Sequence, residues 1–132
     1  MAVVVDASAL VAVLMAEPEA TSVSERVKGH ALISTSMLPY EVANAAVQKT
    51  RRKLMTEEDA RRALGDLGGL AVRLEPADPA AVLALALETG LTAYDASYLW
   101  LARELKADLV TLDAKLEKVW LKDKLDDGET NP

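Results

Sequence analysis

The sequence predicts a three-layer α/β/α fold around a central, mainly parallel sheet of four to five short strands. Three observations carry that expectation. Short apolar runs (AVVV, ALIS, LAVRL and DLVTL) recur along the 132 residues. Stretches with helical spacing separate them, and strands alternating with helices imply parallel pairing with helices on both faces of the sheet. No internal repeat, linker or low-complexity segment interrupts the alternation, and 132 residues suffice for one domain with a proper core but not for two.

Taken in order, Ala2–Val5 is a β-branched run that reads as a buried strand ending at Asp6. Residues 7–15 and 17–28 read as helices parted near Glu17-Pro18, with Pro18 suited to a first helical turn. Gly29 and His30 end the second helix, and Ala31–Ser34 is the next strand. Thr35 or Ser36 is placed to cap a helix through Pro39 to about Lys53. Thr56-Glu57-Glu58-Asp59 resembles a capping box, with Asp59 where Glu or Gln is usual. The helix it opens runs to Gly68-Gly69, and Leu70–Leu74 is a third strand.

Asp78-Pro79 starts another helix, with Asp78 as cap, and Gly90 closes it. A further helix begins at Asp95 and carries Leu99, Ala102 and Leu105 on one face. Asp108–Leu112 is the fourth strand, a short helix follows over roughly Ala114–Val119, and Trp120–Leu121 offers a fifth, minimal strand. The domain is expected to span 1–121, with 122–132 a polar, acidic tail that frays.

Composition narrows the chemistry. The chain lacks Cys, which removes disulfides, zinc–thiolate sites and thiol nucleophiles. His30 is its only histidine, so a multi-histidine metal site is excluded and Ser–His–Asp catalysis has little to work with. Function must rest on carboxylates, hydroxyls, amides, Lys or Arg. The apolar start MAVVVDASALVAVLM is interrupted by Asp6 and has no basic residues before its apolar run, unlike a secretory signal. No stretch approaches the about 18 apolar residues that span a bilayer. The expected location is the cytoplasm. A net charge of −6 opposes phosphate binding, although cations neutralising four clustered acids would leave −2.

In open α/β sheets, sites form beyond the carboxyl ends of the strands. Asp6 directly follows AVVV and Asp113 directly follows LVTL, so neighbouring strands would aim both carboxylates into one crevice. Glu41 lies on a mostly apolar helix and shares a polar line with Asn44 and Gln48, at i, i+3 and i+7. Asp95 opens a strongly apolar helix in TAYDASYL. Taken singly, capping is the favoured explanation for Asp6, Asp95 and Asp113, and solvation serves equally for Glu41.

Four motifs in order change that weighting: VVVDASAL, YEVANAAV, GLTAYDASYLWLA and LVTLDAKL. Together they resemble a PIN domain of the VapC toxin type, over Ala2 to about Val119. Each motif alone is weak; the ordered set is specific. The resemblance implies an α/β/α PIN-like fold and a Mg²⁺-dependent endoribonuclease, with Mn²⁺ as substitute, acting as the toxin of a toxin–antitoxin pair. It implies Asp6, Glu41, Asp95 and Asp113 as the acidic quartet, with Asp6 and Asp95 as direct metal ligands and cut ends carrying 5′-phosphate and 3′-hydroxyl. Ser8, Thr111 and Asn44 match supporting positions. RNA as substrate, a small antitoxin as partner and a homodimer are implied in the same way.

The residue types suit that chemistry, because hard cations prefer oxygen ligands and Mg²⁺ is usually held by one or two carboxylates plus waters. Lys49, Arg51, Arg52 and Lys53 close the Glu41 helix, where cations suit its dipole; they also form a candidate rim for the RNA backbone. Tyr98 and Trp100 read as core or interface residues. A receiver domain would need paired acids after its first strand, and a haloacid-dehalogenase-type phosphatase would need DxD where this chain has Asp6-Ala7-Ser8. A catalytically idle PIN-like module and a housekeeping PIN nuclease stay open as alternatives.

Overall fold

A computed structural model describes residues 1–130. Its elements are β1 (Ala2–Val5), α1 (Ala7–Leu14), α2 (Ala20–Val27), β2 (Ala31–Thr35), α3 (Leu38–Arg51), α4 (Glu57–Gly68), β3 (Arg73–Glu75), α5 (Pro79–Thr89), α6 (Ala93–Leu105), β4 (Asp108–Val110) and α7 (Ala114–Thr130). The strands form one parallel sheet in the order β3-β2-β1-β4. β1 has β2 on one side and β4 on the other, so the chain reverses its direction of travel across the sheet beside β1. A crevice opens at such a switch point, beyond the carboxyl ends of the strands.

Alternation along β1 builds the three layers. Val4, Ile33 and Leu109 stand in register on neighbouring strands and pack with Val82, Leu85, Leu99, Ala102 and Leu116 from α5, α6 and α7. Val3, Val5 and Val110 point the other way, into a second core with Leu10, Val23, Leu38 and Val42 from α1, α2 and α3. Leu64 and Leu67 of α4 pack against that second core. Both faces of β1 are therefore dry, which explains why AVVV reads as an unbroken apolar run. Leu38, Leu99 and Leu116 are fully buried, each contributing about 1.5–3 kcal/mol of transfer free energy.

Several boundaries differ from expectation. β3 is shorter and later than Leu70–Leu74, and β4 stops at Val110, two residues short. Pro18 precedes α2 rather than joining its first turn, and Glu19 takes the cap position without a side-chain bond. Met37 occupies the cap position of α3 without a side-chain bond, and Thr35, two residues earlier, accepts from the Met37 N–H at 3.3 Å. Thr56 does cap α4, accepting from the Asp59 N–H at 3.1 Å.

The largest correction is at the end of the chain. α7 continues from Ala114 to Thr130, so Trp120–Leu121 is helix rather than a fifth strand, and 122–130 is helix rather than a frayed tail. Arg103 on α6 makes a two-pronged ion pair with Asp123, at 2.6 and 2.7 Å, and Lys124 bonds Asp108 at 3.0 Å. These bonds tie the charged extension to the domain, which apolar periodicity alone does not reveal. Residues 131–132 of the expected tail lie outside the described residues. Among the described residues no helix is long and apolar enough to cross a membrane.

Candidate active site

Asp6 lies at the carboxyl end of β1 and is 2% exposed. It caps α1, its Oδ1 accepting from the Ala9 N–H at 3.0 Å. The Ser8 hydroxyl donates to the same oxygen at 2.7 Å, and the Thr111 hydroxyl donates to Oδ2 at 2.5 Å. Those hydroxyls are themselves held from β4's exit. The Leu112 N–H donates to Ser8 Oγ at 2.9 Å and the Asp113 N–H to Thr111 Oγ1 at 3.0 Å. Two hydroxyls thus stitch the end of β1 to the end of β4 and fix the plane of one buried carboxylate.

Asp113 caps α7, its Oδ1 accepting from the Leu116 N–H at 2.8 Å. Asp95 is not a cap. Thr92 takes that role, accepting from the Asp95 N–H at 3.1 Å, and Asp95 sits half-buried in the first turn of α6. Glu41 sits in the first turn of α3 and accepts from the Tyr98 hydroxyl at 2.9 Å.

All four carboxylates share one electrostatic neighbourhood. Burial pushes Asp6 above the ordinary carboxylate range; the bonds from Thr111, Ala9 and Ser8 oppose that, and the Asp113 charge adds to it. Burial likewise raises Glu41, opposed by the Tyr98 bond and reinforced by the charges of Asp6 and Asp95. Asp95 is raised by burial and by Asp113 and Asp6, with Thr92 and the Lys115 ammonium opposing. Like charges this close disfavour one another's ionised form.

Among the described residues no three acids close into a ligand cage. The donor set nevertheless suits a hard divalent ion. All its groups are oxygens, three carboxyls are raised by burial with neighbouring acids adding to it, and Mg²⁺ needs only one or two carboxylates because it keeps most of its waters.

A cleft of about 670 Å³ opens beside the acids, lined by Ser8, Met37, Glu41, Asn44, Gln48 and Leu112 among others. The polar line Glu41–Asn44–Gln48 therefore faces a cavity. The basic cluster is divided. Lys49 is tied to Glu17 at 2.7 Å at the edge of this cleft. Arg51 lines a separate groove between α3 and α4, and Arg52 and Lys53 are exposed beyond the helix. His30 stands apart, its ring bonded to the Lys28 carbonyl at 3.0 Å.

Two participants are absent from the sequence reading. Lys115 is anchored on the Gly90 carbonyl at 2.6 Å, Gly90 adopting the left-handed φ of 76° that ends α5, and this holds a cation near Asp95. Tyr98 is 1% exposed, a core residue as expected, yet its hydroxyl reaches Glu41 from the far helix. A polar tip one turn after Asp95 on an apolar helix was the available signal.

Tyr98→Phe removes that bond while keeping the ring. The expected result is a thermal midpoint unshifted within a few degrees and a Glu41 carboxyl that titrates still higher, having lost the bond that opposes its burial. An unchanged Glu41 titration would show that the Tyr98 bond does not hold this carboxylate.

The PIN domain family profile matches residues 3–120. Ribonuclease VapC3 of Pyrobaculum aerophilum is 38% identical over 122 residues, covering 88% of this chain and 92% of that protein. Ribonuclease VapC12 of Mycobacterium tuberculosis is 29% identical over 114 residues, covering 86% and 88%. Among solved structures, the crystal structure of PAE2754 from Pyrobaculum aerophilum superposes with a TM-score of 0.70 at 31% identity, covering 88% of this chain and 82% of that one.

Proposed function

The chain belongs to the PIN-domain family, and within it to the VapC proteins, and from that premise we propose that it is a metal-dependent endoribonuclease acting as the toxin of a toxin–antitoxin pair. The observation that supports the reading is that Asp6, Glu41 and Asp95 are all raised, chiefly by burial and further by the charges of their acidic neighbours. Carboxylates gathered at such a position oppose folding unless a cation is part of the design.

Asp6 and Asp95 are the proposed ligands for Mg²⁺ or Mn²⁺, with Glu41 and Asp113 completing the shell directly or through water. Such an ion supplies charge stabilisation at phosphorus and lowers the pKa of a bound water. The remaining work falls to the chain. Ser8 and Thr111 hold the Asp6 carboxylate in one plane, so its free lone pairs keep a constant direction. Tyr98 restrains Glu41, and the Leu116 N–H restrains Asp113, leaving each carboxylate an oxygen edge to accept a proton from the attacking water. Asn44 extends the polar wall along which RNA would lie. Arg51, Arg52 and Lys53 would touch only RNA that runs past the cleft.

The proposed partners are RNA, a small antitoxin that covers the acidic crevice and a second copy of the chain, with the cytoplasm as the place of action. Incubating the purified protein with single-stranded and structured RNA, with Mg²⁺, Mn²⁺ or EDTA, tests the reaction class. Cleavage that needs a divalent ion and leaves 5′-phosphate ends is expected. An inert protein that binds no divalent ion would favour the idle protein-binding module.

A further inference from the structure

The last helix carries charge that the carboxylates do not use. Along α7, Lys115, Lys118 and Lys122 recur at i, i+3 and i+7, which places them within about 60° of one another around its axis. All three are exposed and line one groove of about 790 Å³. Glu117 is the sole acid among the described residues that line it.

Many other surface cations are tied to a neighbour. Lys49, Arg61, Arg62, Arg73, Arg103 and Lys124 each pair with a carboxylate. Lys124 bonds Asp108 and lies 5.5 Å from the centroid of the Trp120 ring, away from the lysine row. Among the described residues, neither Lys118 nor Lys122 has an ion pair. A chain of net charge −6 thus concentrates uncompensated positive charge along one helix face.

The row begins at the crevice. Asp113 caps α7, and Lys115 follows it by two residues. The Lys115 ammonium donates to the Gly90 carbonyl, just ahead of the helix that carries Asp95. An ammonium has three donors, so two remain. From there the row leads away from the carboxylates, covering about 10 Å between Lys115 and Lys122. A nucleic-acid strand sets down about one phosphate per 3.4 Å of axis, so roughly three or four phosphates occupy that length. The cleft on the α3 side has the opposite sign: it holds Glu17, Glu19 and Glu41, and no Lys or Arg among the described residues that line it. A polyanion leaving the carboxylates is repelled along α3 and attracted along α7.

We propose, resting on the ribonuclease reading above, that Lys115, Lys118 and Lys122 form a track that holds the RNA phosphate backbone on one side of the cut bond. Contacts of this kind fix the register and orientation of a strand without reading its bases.

The test follows fluorescence polarisation of a labelled single-stranded oligoribonucleotide across a KCl series, with Ca²⁺ in place of Mg²⁺. Each phosphate contact on a single strand contributes about −0.7 to the slope of log affinity against log salt. Lys118→Ala and Lys122→Ala should each make that slope shallower by about 0.7 and weaken binding about fivefold near 0.1 M salt; together they should lose about 25-fold. Strands of unrelated sequence should lose equally. Both side chains are exposed, so truncation leaves the core intact. Lys118→Arg and Lys122→Arg should keep wild-type affinity. So should Arg62→Ala, which removes a cation already paired with Glu58 and Asp59 on α4. In cleavage with Mg²⁺, the alanine variants should lose through KM more than through kcat.

A wild-type protein that cuts RNA, with alanine variants of unchanged affinity and salt slope, would overturn the track. The lysines and the exposed Leu121 and Leu125 beside them would then fall to an acidic protein segment. A loss no greater than that of Arg62→Ala would reflect net charge alone and overturn it equally. A wild-type protein that neither binds nor cuts RNA fails earlier, at the ribonuclease reading itself.

Discussion

Asp6→Asn should lower metal-dependent RNA cleavage by about a thousandfold or more while leaving the fold as stable as before, or more so. The substitution keeps shape and partners. An asparagine carbonyl accepts from Ala9 N–H and the Ser8 hydroxyl, and its amide can donate to Thr111 Oγ1, where Asp6 now accepts. What it removes is the buried charge. Because burial raises the folded pKa of Asp6 above its unfolded value, its contribution to stability is fully present below the unfolded pKa and is lost as pH rises through the folded one. Glu41 and Asp95 are raised too, so they act in the same sense.

Thermal melts in EDTA should therefore show the wild type losing stability from acid toward neutral pH, and the Asp6→Asn protein losing less. The two curves should converge at low pH, where the wild-type carboxyl is already protonated. A variant several degrees less stable at neutral pH would mean that the native carboxylate is welcomed by its surroundings, contrary to the burial penalty described above.

The second large effect concerns Thr111, which is 0% exposed and relays between two acids. Its hydroxyl donates to Asp6 and accepts from the Asp113 N–H at 3.0 Å. Thr111→Val preserves volume and β-branching but leaves the buried carboxylate short of a donor and an N–H short of an acceptor. Their combined cost is about 2–4 kcal/mol, because groups left unpaired inside a protein bear their full desolvation penalty. Chemical denaturation should show a lower midpoint with an unchanged slope, and the Asp6 carboxyl should titrate still higher. Thr111→Ser should recover most of the loss. A valine protein as stable as the wild type would mean that water replaces the hydroxyl.

The placement of two of these acids was legible before any coordinates, because it follows from topology. An acid placed directly after a buried strand run has few places to go, and Asp6 and Asp113 both lie beyond strand ends in the sheet. Both aspartates do cap helices, as the residue-by-residue reading favours, each through one carboxylate oxygen that accepts from a helix N–H. The polar line of α3 was legible for a similar reason: Asn44 and Gln48 had to face either solvent or a cavity, and they line a cleft.

Long-range partners were not legible. Nothing in TAYDASYL says that the Tyr98 hydroxyl meets a residue 57 positions earlier. Thr92 displaced Asp95 from the cap because a hydroxyl three residues ahead of the acid captured its N–H, a local competition that favours neither residue by type alone. The end of α7 escaped notice because its anchors are ion pairs to α6 and β4 rather than an apolar stripe.

Whether a single divalent ion sits among Asp6, Glu41, Asp95 and Asp113 is best decided by anomalous diffraction from crystals soaked in Mn²⁺. The expected result is one dominant peak within bonding reach of Asp6 and Asp95, absent from crystals of the Asp6→Asn protein. A peak bound elsewhere, or none at all in a protein that still cuts RNA, would contradict the assignment of these carboxylates as the metal centre.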